Sequence, residues 1–288
     1  MFRIEGTAMT GTPRPIPDVL DVVVRSADRA PTPISWPPKV ALFGIGVSVT
    51  DYAEATATIL QAARQGLGGV VSCHAVHAIV TASGDASLGV KVNTFELLCP
   101  DGQPVRWAVN LLHGTQLSDR VYGPELMLRL CRRAAETGVS VYLYGGDPVV
   151  AERLEANLLH LYPKLHIAGC EAPPFRPLQL EEDRAVVERI NRSGAGLVFI
   201  GLGCPKQDLF AYEHRNSLQA VQVCVGAAFD FHAGVKKMAP RWMQRHGLEW
   251  LYRVSQEPGR LWRRYLITNS LFLMKLGMAL IRSVVRGS

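Results

Sequence analysis

The sequence predicts an α/β fold: a mostly parallel, Rossmann-like sheet flanked by helices, followed by a C-terminal helical appendage. Three observations predict it. Short apolar runs alternate with amphipathic segments of helical length between residues 40 and 225, the pattern of strands joined by crossover helices. Glycines follow several of those runs, at Gly145-Gly146, Gly201, Gly203 and Gly226, where a chain leaving a parallel strand must turn into the next helix. Beyond Pro240 no further strand-like run appears, and the composition changes. From Arg241 to Ser288 nine Lys/Arg stand against two Asp/Glu, so this segment carries +7 in a chain whose net charge is +6.

In order, residues 1–38 hold seven prolines and little periodicity and are expected to form a poorly ordered leader. Val40–Val47 reads as a buried strand. Asp51 is placed to cap a helix with apolar positions at 55, 59, 62 and 63, ended by Gly66 and Gly68-Gly69. Val70–Cys73 reads as a second strand and His74–Ala82 as helix, while Val90–Cys99 fits neither period. Pro100-Asp101-Gly102-Gln103 reads as a turn, and the odd–even spacing of Val105, Trp107 and Val109 predicts a strand after it. Pro124 opens a helix with the stripe Leu126, Met127, Leu130, Cys131 and Ala134, which Gly138 stops. Strands are then expected at 139–144, 165–169, 196–200 and 221–225. Helices are expected from Asp147-Pro148 to about Tyr162, over about 180–193, and after Asp208 to about Leu218. The organisation predicted is a leader (1–38), an α/β core (39–238) and a basic, Trp/Arg-rich helical appendage (239–288).

A chain of 288 residues with 48% hydrophobic and 19% charged residues is long enough to bury a sizeable core. The six cysteines (73, 99, 131, 170, 204 and 224) lie mostly inside apolar runs, with no CxxC spacing, so they read as core thiols of a cytosolic protein rather than a zinc site. The N-terminus lacks an apolar signal-peptide core, and the most apolar late stretch, Leu266–Ile281, is interrupted by Thr268, Asn269, Ser270 and Lys275, so neither a secretory signal nor a membrane span is expected.

The tail interleaves Arg241, Arg245, Arg253, Arg260, Arg263 and Arg264 with Trp242, Trp250, Tyr252, Trp262 and Tyr265. A solvated helical face is one reading. Nucleic-acid binding is not expected, because no nucleic-acid module is visible. Membrane-surface binding explains more: arginine attracts anionic lipid, Trp and Tyr favour the interface, and Leu266–Val285 supplies apolar residues.

Ligands of open parallel sheets bind outside the carboxyl ends of the strands. Ser72 and His74, Gly145-Gly146, Gly201 to Asp208, and Gly226 to Asp230 fall there, which predicts a nucleotide or nucleotide-sugar site. Gly44-Ile-Gly46 and Gly201-Leu-Gly203 lack the third glycine of a dinucleotide fingerprint. Asp101, followed by Gly102, is by composition an ordinary turn residue. His74 and His77 read as helix-start histidines. There is no Asp-x-Asp pair to hold a divalent ion, so arginines would neutralise a diphosphate.

Seven segments, in order, resemble a known family: Asp101-Gly102, Asp119-Arg120-Val-Tyr-Gly123, Tyr144-Gly-Gly146, Ile200 to Asp208, Phe229-Asp-Phe-His-Ala-Gly234, Ala239-Pro240, and Gly247-Leu-Glu-Trp-Leu-Tyr-Arg253 through Glu257-Pro258 to Arg263-Arg264-Tyr265. They are similar to the WecG/TagA/CpsF glycosyltransferases over residues 40–265. The resemblance implies an inverting bacterial enzyme that moves a sugar from a UDP-sugar to a polyprenyl-diphosphate-linked saccharide, without a metal cofactor, peripherally at the cytoplasmic face of the membrane. It implies a role in cell-envelope or exopolysaccharide synthesis. It also implies Asp101 as general base, Arg120 near the sugar diphosphate, Gln207 as a donor-positioning residue, and Arg253, Arg260 and Arg263 as diphosphate ligands. Ser72, His74, Gly145, Gly146, Gly201, Gly203 and Asp230 complete the expected substrate-binding set. The sequence departs from the pattern at Ser72 and His74 (Thr-x-Asn in the family), at Met238 (Arg) and at Asp208 (Glu). A membrane-tethered nucleotide-binding scaffold without catalysis is the alternative, and homo-oligomer formation stays open.

Overall fold

The computed structural model describes residues 33–287; most of the expected leader therefore lies outside the described residues. Strands β1 (Lys39–Leu42) and β2 (Ile45–Ser48) form an antiparallel two-stranded sheet of their own. The one continuous strand expected over Val40–Val47 is thereby corrected. The chain instead reverses at Phe43-Gly44, where both residues have positive φ (56° and 86°), a conformation open to glycine at no steric cost.

The six remaining strands are β3 (Val70–His74), β4 (Leu97–Pro100), β5 (Val141–Gly145), β6 (Ile167–Glu171), β7 (Leu197–Gly201) and β8 (Val221–Cys224). They form one sheet in the order β4-β3-β8-β7-β5-β6, with every pairing parallel. The two-residue period of the strands feeds two cores. Val141, Leu143, Leu197, Phe199, Val221 and Val223 face one. Tyr142, Tyr144, Val198, Ile200 and Cys224 face the other.

Helices cover both faces. The first is α1 (Tyr52–Gln65), capped by Asp51, whose side chain accepts from Glu54 N, and closed by Gly66 in the left-handed region. Then come α2 (Val76–Gly84), α3 (Ala86–Asn93), α4 (Gln103–His113), α5 (Gly123–Thr137), α6 (Pro148–Leu161), α7 (Leu180–Arg192), α8 (Lys206–Glu213) and the short α9 (Ala228–His232). The ambiguous stretch 90–99 resolves into the end of α3 and most of β4.

The strand expected at 105–109 is corrected: α4 is a helix. Pro104 fits the first turn of a helix, where its missing N–H is no loss. Val105, Ala108 and Val109 then share the buried side, while Trp107 is 41% exposed. A short odd–even apolar run does not separate the two periods. The strand expected at 165–169 lies two residues later, at β6, and the helix expected to reach Leu218 ends at Glu213.

After Pro240 come α10 (Arg241–Arg245), α11 (Glu249–Gln256) and the 30-residue α12 (Pro258–Gly287). Helix α12 packs along α2 and α11, burying Leu261, Tyr265, Thr268 and Phe272, which recur at helical spacing. By length and composition alone, Pro258–Ser283 is long and apolar enough to cross a membrane, which the sequence reading did not expect.

Candidate active site

The carboxyl ends of β3, β4, β7 and β8 meet below the appendage. Asp101 follows Pro100 at the end of β4. Its backbone N–H donates to His74 O at 3.2 Å, and its Oδ2 accepts from Gly123 N at 3.1 Å. A side chain at position 123 would place a Cβ 3.2 Å from that oxygen, so glycine lets the start of α5 approach the carboxylate this closely without displacing it. Burial pushes the Asp101 carboxyl up to about 6; Arg120 opposes the rise and Glu249 adds to it. A carboxylate tuned toward neutrality is suited to accept a proton near pH 7.

Arg120 is 6% exposed and stacks on the Tyr122 ring at 4.0 Å. Its guanidinium donates to Glu249 Oε2 at 2.8 Å and Gln244 Oε1 at 3.1 Å. The expected diphosphate arginine is thus held by the appendage while it acts electrostatically on Asp101.

Ser72 and His74, expected as substrate contacts, are buried at 0% and 1% exposure. Both turn to Asp208: Ser72 Oγ donates to Oδ1 at 2.7 Å, and His74 Nε2 lies 3.1 Å from the same oxygen. Burial alone would raise the Asp208 carboxyl, but His74, Ser72 and the thiol of Cys204 together hold it below the ordinary range. His74 belongs to β3 rather than to a helix shared with His77. Three of the four departures from the family pattern, Ser72, His74 and Asp208, therefore meet in one buried cluster. Three buried polar atoms beside this cluster make no hydrogen bond: His74 Nδ1, Asp208 Oδ2 and Gln207 Oε1. Unpaired polar atoms at such depth are costly unless a ligand or water completes them.

The appendage supplies cations. Arg253 lies over the Phe231 ring at 5.6 Å and is close enough to act on Asp101 and His77. Arg264, absent from the expected set, acts on His77 and Cys204, and its Nε is buried without a hydrogen-bond partner. Burial, with Arg264, Arg253 and His74 nearby, pushes His77 down to about 4. By contrast Arg260 is exposed and pairs with Glu257 at 2.6 Å, and Arg263 is exposed over the Trp262 ring at 5.2 Å. The signal that separates them is present in the sequence: Arg264 follows Leu261 by three and precedes Thr268 by four on the buried stripe, whereas Arg260 and Arg263 fall outside it.

The glycines have packing reasons. A Cβ at Gly145 would lie 2.6 Å from the Gly201 backbone, one at Gly146 2.9 Å from Val150, and one at Gly201 2.6 Å from the Phe229 ring. Gly203 has φ +76° and open space around it. Asp230 pairs with Lys236 at 2.7 Å. Among the described residues, no group of three His, Cys, Asp or Glu could hold a metal ion.

A carboxylate of raised basicity, a buried polar cluster and two inward arginines lie on the carboxyl edge of a parallel sheet, an arrangement chemically able to accept a proton beside an anionic group. The family follows from comparison with known proteins: the model of the glycosyl transferase WecG/TagA/CpsF family matches residues 40–285, and the chain belongs to that family. It is therefore a glycosyltransferase by family, with a sugar donor and an acceptor.

Proposed function

We propose that the protein is an inverting glycosyltransferase moving a sugar from a UDP-sugar to a polyprenyl-diphosphate-linked saccharide at the cytoplasmic face of the membrane, in surface or exopolysaccharide synthesis. The observation that carries this reading is Asp101, held by Gly123 N at the carboxyl edge of the sheet and raised to about 6, with Arg120 of the core and Arg253 of the appendage acting on it. In the reaction, the acceptor hydroxyl gives its proton to the Asp101 carboxylate as its oxygen attacks the anomeric carbon. The carbon–oxygen bond to UDP breaks, and its electron pair leaves with the diphosphate. One displacement inverts the centre.

Arg253 and Arg264 stand where the departing negative charge develops, and fixed cations there stabilise the transition state without a metal. The unpaired atoms of His74, Asp208 and Gln207 suit the hydroxyl and amide groups of a sugar or nucleotide. Trp242, Trp250 and Trp262, with the exposed apolar side of α12, suit an anionic membrane surface. The inner stripe of α12 is occupied by packing against α2, which favours lying on the bilayer over spanning it.

The test is transfer of radiolabelled sugar from a panel of UDP-sugars to a polyprenyl-diphosphate acceptor analogue. Turnover with inverted anomeric configuration is expected. Nucleotide binding without turnover for any donor would point to a non-catalytic scaffold instead.

A further inference from the structure

Glu249, at the start of α11, makes contacts that the proposed chemistry does not use. Its Oε2 accepts from Arg120 at 2.8 Å, and its Oε1 accepts from the Tyr122 hydroxyl at 2.9 Å. Both partners belong to the connection from α4 to α5, which ends one residue before Gly123, the donor to Asp101. The ion pair is nearly closed to solvent, with side-chain exposures of 7% and 14%. Gln244 of α10 adds a bond to the same guanidinium nitrogen. The other ion pairs made by Glu257 in the appendage, with Lys236 and Arg260, are more open.

Two consequences follow from this geometry. Glu249 and Arg253 are four residues apart on one helix and so share a face; clamping the first fixes the reach of the second. Helices α10 and α11 bury no residue fully, so their seating depends on polar contacts of this kind, and removing one partner of a nearly buried pair leaves an uncompensated charge at the contact. The clamp also bears on the base. Glu249 raises the Asp101 carboxyl, and Arg120 lowers it; their pairing balances the two.

We propose that Glu249 is a positioning residue of the transfer reaction: by clamping Arg120 and Tyr122 it seats the appendage on the core and holds Arg253 against the Asp101 cleft. The catalytic part of this inference rests on the transferase reading, and the seating part does not.

The test uses the full chain as wild type, Glu249→Gln and Tyr122→Phe, with hydrogen exchange by mass spectrometry and kcat measured against pH. In Glu249→Gln the amides of residues 241–265 are expected to exchange about ten-fold faster or more, with β5 and β7 unchanged. Its kcat is expected to fall by about 10²-fold, the scale of a misplaced catalytic group. Its rising pH limb should move below that of wild type, because an opened cleft relieves the burial of Asp101 and a freed Arg120 acts on it unopposed. Tyr122→Phe, which keeps the ion pair, should shift each readout in the same direction by less.

Unchanged exchange over 241–265 in Glu249→Gln would overturn the proposal. So would a wild-type kcat and pH limb in that variant. If both variants lost protection throughout the sheet, Glu249 would be a general stability element and the proposal would fall. If wild type transferred no sugar while exchange rose only in 241–265, the clamp would stand and the transferase reading alone would fail.

Discussion

The sheet and the appendage are held by different kinds of contact, and the proposed chemistry lies on the seam between them. Five of the six strands are largely or wholly buried and feed apolar cores on both faces. The appendage has a buried stripe on α12, polar links to the core of which the Glu249 clamp is the most enclosed described, and a broad exposed apolar surface that includes Leu266 at 61%, Leu273 at 66% and Ile281 at 66%. Apolar burial at roughly 25 cal/mol per Å² makes the first region hard to deform; the second has little of it. The base candidate and Arg120 sit on the firm region, and Arg253 and Arg264 on the loosely held one. A site divided this way is complete only when the appendage is seated, which joins transfer to whatever seats it, a membrane surface included.

The largest effect expected on either side of the seam is at Asp101. Asp101→Asn should lower kcat by about 10³-fold or more, near the upper range for a lost general base, while calorimetry finds UDP bound nearly as in wild type. The same variant should be more stable than wild type at pH 8. The folded carboxyl titrates near 6 against an ordinary 3.8, so ionising it weakens the fold. That penalty is absent below 3.8 and grows as pH rises through 6, so thermal melts of the two proteins should converge at acid pH.

The next largest effect separates arginines of the same tail. Arg253→Gln and Arg264→Gln should each reduce kcat/KM by about 10²-fold, the scale of a lost transition-state donor. Arg260→Gln and Arg263→Gln, which point away, should stay within about three-fold on a water-soluble acceptor analogue, since exposed charges contribute little. Equal losses at all four positions would erase the distinction between inner and outer faces of α12.

That distinction also marks how far the sequence was legible. The parallel sheet was readable because the segments 139–144, 196–200 and 221–225 are mostly apolar runs each followed by glycine, the near-continuous pattern of buried parallel strands. Helix α4 was misread because Val105, Trp107 and Val109 satisfy a two-residue period over too short a span, and the buried Ala108 carries little weight in such a pattern. Asp101 could not be told from a turn residue by composition; its meaning depends on Gly123 and Arg120, 22 and 19 positions away. The pairing of His74 with Asp208 joins residues 134 apart, and no local pattern shows it. Arg264 was legible in principle, once the buried stripe of α12 was counted.

Smaller effects test each side alone. On the core, Gly123→Ala should cost about 1–3 kcal/mol of stability, the usual range for overpacking. It should lower kcat by about ten-fold, because the added Cβ meets both Asp101 and Cys73 and a shifted catalytic group loses rate steeply. On the appendage, Leu266→Glu combined with Leu273→Glu should weaken binding to anionic vesicles by about ten-fold or more, from the loss of apolar area, with kcat on a soluble acceptor unchanged. Full vesicle binding by that double variant would remove the outer face of α12 from the membrane contact.

The most direct test of the divided site is the dependence of kcat/KM on pH in wild type between pH 4.5 and 8, which reports the base of the free enzyme. A single rising limb with its midpoint near 6 is expected, set by a carboxylate that burial raises while Arg120 from the core and Arg253 from the appendage restrain it. A profile that is flat over that range, or that rises near 4 as for a solvated carboxylate, would contradict Asp101 as the base.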